Sequence, residues 1–218
     1  MYKIHDIMYA MHAQPSFKKV LKILLYAPGD AEGESIMSDL LASLKLDSSS
    51  SSPSSDNTEA SFNTWVLMPM NSTAKDMTSS NLGDKLKSAL YRARQLLINC
   101  RREPNDTKED GGVVFIGMDA PDIPLDEILH GILYSSPPHN QAFLCPTYDG
   151  GYGMIAVPAN APLQIFDGVR WSDPLTTTSQ IKSLSDWNIP LIMGKMMYDV
   201  DEPEDSKYYQ DIYSFHKL

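Results

Sequence analysis

Apolar positions along the chain fall into two alternating patterns, short continuous runs and stripes at helical spacing. Ile4, Ile7, Met8 and Met11 form the first stripe, ahead of Pro15, and predict an amphipathic helix. Residues 19–27, with Val20, Leu21, Ile23, Leu24, Leu25 and Tyr26, predict a buried strand closed by Pro28-Gly29. Ile36, Leu40, Leu41 and Leu44 suggest a short helix, and Trp65, Val66, Leu67 and Met68 the next strand. Leu82, Leu86, Ala89, Leu90, Ala93, Leu96 and Leu97 then line one face of a longer helix, with Asn81 placed as its amino cap.

The second half repeats the alternation. Val113, Val114, Phe115 and Ile116 read as a strand buried on both faces, and Leu125, Ile128, Leu129, Ile132 and Leu133 as the helix after it. Residues 142–144 and 153–157 predict two strands around a tight turn. A helix bearing Ile181, Leu184 and Trp187 follows, then strands near 191–193 and 197–200, and Pro203 could start a last helix. Alternating strands and helices imply an α/β chain of three layers, α/β/α. The pattern lapses at residues 47–60, which are serine-rich and almost without apolar side chains; burial there cannot offset the ordering entropy, so a disordered insertion is expected.

With 218 residues, a single domain spanning 1–218 is expected. The formal charge of −10 argues against nucleic acid or an anionic membrane as a partner. Cys100 and Cys145, the only two cysteines, are too few for a disulfide framework or a thiolate zinc site. Asp6 interrupts the apolar positions at the amino terminus, so neither a signal peptide nor a membrane span is read there, and a cytoplasmic location is expected.

The chemistry points to strand ends. In GGVVFIGMDAPDIP, Gly117 ends the apolar run and Asp119 follows at the carboxyl end of the strand, where open α/β sheets place their ligands. Asp149, Gly150 and Gly151 occupy the turn after 142–144; the glycines permit backbone angles closed to other residues and a close approach to a ligand. A lone Asp-Gly-Gly is also ordinary turn chemistry. Arg101 and Arg102 read as a solvated helix end.

Taken in order, VVFIGMDAPDIP, PTYDGGYGMIAV, IFDGVRWS and YDVDEPED resemble the DUF2064 group of GT-A-fold transferases, and NLGDKLKSAL looks like that family's helix start. The group is linked to glycosyltransferases and nucleotidyltransferases, and some members are assigned to arsenosugar biosynthesis. The resemblance implies a GT-A-like fold with a mixed, mostly parallel sheet. It also implies a nucleotide-activated donor held through Mg²⁺ or Mn²⁺, with transfer to a small-molecule acceptor. On this basis Asp119 and Asp201 are the metal carboxylates and Asp149 the catalytic, acceptor-side carboxylate. Gly150, Gly151, Tyr152 and Trp171 would bind substrate, although the two aromatic rings are about as readily core or rim packing. Asp122, Asp199 and Asp205 could equally be helix caps or surface charges.

The family's opening strand and basic phosphate loop have no match here. Either residues 19–29 are the second strand of the fold and the first is missing or altered, or 21–27 is the first strand and its loop is the acidic PGDAEGES. The former keeps the later elements in family order. A missing central strand would leave its neighbours without ladder partners, so the sheet is expected to be rearranged, or completed by another segment or by a second subunit. Three functions follow: a transferase, a non-catalytic binding or assembly protein that has lost the phosphate loop, and, last, a metal-dependent phosphohydrolase.

Overall fold

A computed structural model describes residues 81–99, 111–117, 119, 120 and 123–199. It also describes strands 22–26, 48–50 and 65–69 and helical positions 8, 11, 13, 35, 38, 39 and 42. In chain order the elements are β1 (Lys22–Tyr26), β2 (Ser48–Ser50), β3 (Trp65–Pro69), α1 (Leu82–Asn99), β4 (Gly112–Ile116), α2 (Leu125–Ser135), β5 (Ala142–Pro146), β6 (Tyr152–Pro158), α3 (Thr176–Asp186) and β7 (Leu191–Met193). A short 3-10 turn, Leu163–Phe166, precedes α3.

The strands form two sheets, ordered β1-β3-β2 and β4-β6-β5-β7. The three-stranded sheet is wholly parallel, and in the four-stranded sheet only β6 runs against the others. No ladder joins the two sheets among the described residues. The first described strand pairs with β3 and not with β4, which stands at an edge of its sheet among the described residues. That position explains one departure from expectation. β4, read as buried on both faces, is half-buried along its whole length, whereas β5, flanked by β6 and β7, is buried throughout.

Strand periodicity sorts the side chains into two cores. On one face Phe143 and Cys145 of β5 and Met154 and Ala156 of β6 pack under Ile128 of α2, and Met11, from the first predicted helix, joins them. On the other, Leu144, Ile155 and Val157 pack against Leu86 and Leu90 of α1 and Leu184 of α3. The result is the expected three layers. Asn81 does cap α1, its Oδ1 accepting from the Asp84 N–H at 3.0 Å. No helix among the described residues is long and apolar enough to cross a membrane.

Two local expectations are corrected. Ser48–Ser50, expected to be disordered on composition, forms β2 and pairs with residues 65–67 of β3. Ladder hydrogen bonds use backbone groups alone, so a strand edge can recruit a segment with nothing apolar to bury. The rest of 47–60 lies outside the described residues. The strand expected near 197–200 is an isolated bridge, Thr147 to Met197. Cys100, the 101–110 loop and the last predicted helix also lie outside the described residues.

Gln180 is fully buried in α3 and joins two elements: its Nε2 donates to the Ile165 carbonyl at 2.8 Å and its Oε1 accepts from the Tyr152 hydroxyl at 3.2 Å. Gln180→Leu keeps the apolar bulk and removes both partners. Equilibrium urea unfolding should show a loss of about 2 kcal/mol, the cost of leaving buried polar groups unpaired. An unchanged midpoint would mean that water replaces the amide.

Candidate functional site

Three loops meet at the carboxyl end of the four-stranded sheet. Beyond β4 the Gly117 N–H continues the ladder to the Gly153 carbonyl at 2.8 Å, and the Ala120 N–H turns back to the Gly117 carbonyl at 3.4 Å. The turn leaves the Asp119 side chain exposed. It folds back over Gly117, where a Cβ would overlap its Oδ1. Glycine at 117 is therefore a condition of where Asp119 points.

Beyond β5, the Thr147 N–H donates to the Gly151 carbonyl at 2.9 Å and closes the turn through Asp149. One carboxylate oxygen of Asp149 is committed to this turn: Oδ1 accepts from the Thr147 hydroxyl at 2.5 Å and from the Gly151 N–H at 2.8 Å. The side chain itself is exposed. Gly150 has φ 96° and its Cα faces the Pro174 carbonyl. The start of α3 seals the far side, with the Thr177 N–H donating to the Gly150 carbonyl at 2.9 Å and its hydroxyl to the Gly151 carbonyl.

The third loop follows β7, where the Met197 N–H donates to the Pro146 carbonyl at 2.9 Å. Gly153, where β6 leaves the Asp149 turn, lets the other two loops close over the strand, since a Cβ there would stand 2.7 Å from the Ala120 Cβ and 2.8 Å from the Met197 sulfur. Asp119 and Asp149 thus share one end of the sheet, and Asp199 follows the Met197 bridge into the same region. Asp122, Asp201 and Asp205 lie outside the described residues. Among the described residues no three His, Cys, Asp or Glu side chains cluster as a ready metal site.

Sequence reasoning missed a pair of rings at this end. Tyr148 and Tyr198 stack with centroids 4.2 Å apart, although both are exposed. The bridge between Thr147 and Met197 sets them side by side. The available signal was a tyrosine directly before an aspartate in each loop.

Tyr152 and Trp171 are packed against the core on the α1–α3 face, edge to face at 6.2 Å, and both keep part of their surface exposed. Burial raises the Tyr152 phenol above its ordinary range, so it stays a neutral hydrogen-bond donor. Trp171 reaches its place because residue 83 is glycine: a Cβ there would be 2.8 Å from the indole nitrogen. Lys87 adds an ion pair, 2.7 Å from Asp167 and 2.8 Å from Asp84. The hydrogen bonds it donates to Asp167 and then to Asp84 raise its ammonium above the usual value. NLGDKLKSAL and IFDGVRWS are therefore two halves of one joint, which braces the Asp149 side of the site.

The family described as "Uncharacterized protein conserved in bacteria (DUF2064)" matches residues 52–173, more than half of the chain. The chain belongs to the DUF2064 family. The match takes in the loops of Asp119 and Asp149 and the IFDGVRWS joint, while the Met197 loop lies beyond it. Among solved structures, this DUF2064 chain is similar to a candidate nucleotide-diphospho-sugar transferase from Desulfovibrio desulfuricans G20. The TM-score is 0.56 at 17% sequence identity, over 91% of this chain and 69% of the other. That likeness shows the fold, the GT-A-like α/β arrangement expected of the family. No curated protein matches the sequence.

Proposed function

We propose that this protein is a metal-dependent transferase that moves a glycosyl or nucleotidyl group from a nucleotide-activated donor to a small acceptor. The observation that carries the reading is the closing of the Asp119 and Met197 loops over Gly153, in β6 just beyond the Asp149 turn, with the Asp119 and Asp149 carboxylates exposed at the ligand-bearing end of a GT-A-like sheet. The donor set is of the right kind for Mg²⁺ or Mn²⁺. Both groups offer hard carboxylate oxygens, Asp149 keeps Oδ2 outside the turn's hydrogen bonds, and neither side chain is sealed in the core. Asp119, together with Asp201, would hold the ion, which when bound would offset charge on the departing phosphate. Asp149 would orient or deprotonate the acceptor hydroxyl. Gly150 and Gly151 would shape the turn that faces the acceptor, with Tyr152 and Trp171 as the wall behind them.

Calorimetry with nucleoside diphosphate sugars and nucleoside triphosphates, with and without Mn²⁺, tests this. Saturable binding that requires Mn²⁺ and weakens at least tenfold in Asp119→Ala is expected. Folded protein that binds none of them would overturn the reading and leave a non-catalytic role.

A further inference from the structure

A cleft of about 370 Å³ lies between α2, β5 and β7 and has no part in the proposed transfer. It sits at the small end of the range for ligand pockets, roughly 300–1,000 Å³. Its base is the Glu127 carboxylate, with only 5% of the side chain exposed. The two oxygens of that group are unequal. Oε2 accepts from the Lys195 backbone N–H at 3.0 Å and from the Cys145 thiol at 3.5 Å. Burial, with the Glu127 charge beside it, pushes the Cys145 thiol up to about 12, so this donor keeps its proton at neutral pH. Oε1 has two nitrogens at 3.9 Å, His130 Nδ1 and the Lys195 ammonium Nζ, and both stand beyond hydrogen-bond distance.

A buried carboxylate oxygen without a close donor is costly to maintain. The walls limit what could supply one. Tyr134 and Phe143 stack at 5.8 Å and 10°, His130 tilts against both, and Ile192 and Met193 close the apolar side. Gly194 keeps the base tight, since a Cβ there would be 2.6 Å from the Cys145 sulfur and 2.7 Å from Phe143. The cleft thus presents one available anionic oxygen among aromatic rings, the combination that suits an ammonium group on an apolar body. We propose that the cleft between α2, β5 and β7 binds a small primary organic ammonium, its nitrogen on Glu127 Oε1 and its body against Tyr134, Phe143 and Ile192. The Lys195 side chain, largely exposed, is the intramolecular competitor that the ligand displaces.

NMR titration at pH 7 with benzylammonium, and with benzyl alcohol as the neutral isostere, tests this. Saturable shifts at Ile192, Met193 and Gly194 are expected, with at least tenfold preference for the ammonium. Lys195→Ala keeps the backbone donor and should tighten binding severalfold, whereas Glu127→Gln should weaken it tenfold or more. Equal binding of the alcohol, weaker binding in Lys195→Ala, or no saturable shift in folded wild-type protein would each overturn the proposal. Should Glu127→Gln not fold, the other two comparisons decide.

Discussion

Gly150→Ala is expected to lower stability by about 3 kcal/mol, the upper part of the range for a residue forced into a positive-φ conformation and in conflict with its surroundings. For a chain of this size that corresponds to a fall of roughly 6–12 °C in Tm. Two physical terms contribute. The backbone has φ 96°, which L side chains rarely adopt, and the added methyl would lie 2.6 Å from the Pro174 carbonyl carbon and overlap its oxygen. Gly168 separates the terms, because its φ is 70° and a Cβ there meets nothing within 4 Å. Gly168→Ala should therefore cost only about 1 kcal/mol, the conformational part alone. Calorimetric unfolding of both variants measures the difference. Equal losses would mean that the Pro174 turn ahead of α3 moves aside freely, and that the Asp149 turn is less tightly braced by α3 than its hydrogen bonds indicate.

The same turn shows what was and was not legible in the sequence. Asp149, Gly150 and Gly151 could be placed after a strand from composition and order alone, because turn chemistry is local. The partner that makes Gly150 obligatory is Pro174, 24 residues away, and no local pattern points to it. Asn81 as a cap and the α1 stripe were readable for the same local reason. The Lys87–Asp167 pair was not, since it spans 80 residues and joins two motifs that look independent on the page. β4 was misjudged as doubly buried because its composition resembles a central strand, whereas its exposure depends on which strand lies next to it. The composition of 47–60 pointed to disorder, yet residues 48–50 pair through backbone groups that composition does not describe. The family resemblance supplied the fold, and it placed Asp119 and Asp149 in separate motifs. Gly153, where Ala120 and Met197 close over β6, is what brings those motifs into one site.

Asp149→Asn should leave the fold nearly unchanged and reduce transfer on the order of 100-fold, the lower end of what a general base contributes. On the proposed reading one side chain would combine two roles, and the two variants separate them. Oδ1 holds the turn by accepting from Thr147 and Gly151, and an asparagine oxygen can do the same. The negative charge that would draw a proton from an acceptor hydroxyl has no replacement in the amide. Asp149→Ala removes both functions, so it should lose the same activity and, in addition, about 2 kcal/mol of stability from two missing hydrogen bonds. Thermal unfolding and kcat, measured on wild type and both variants with the donor identified by calorimetry, give the answer. If Asp149→Asn retained full turnover while Asp149→Ala lost activity in step with stability, Asp149 would be a turn residue only. The acceptor-side base would then have to come from another of the carboxylates at this end of the sheet.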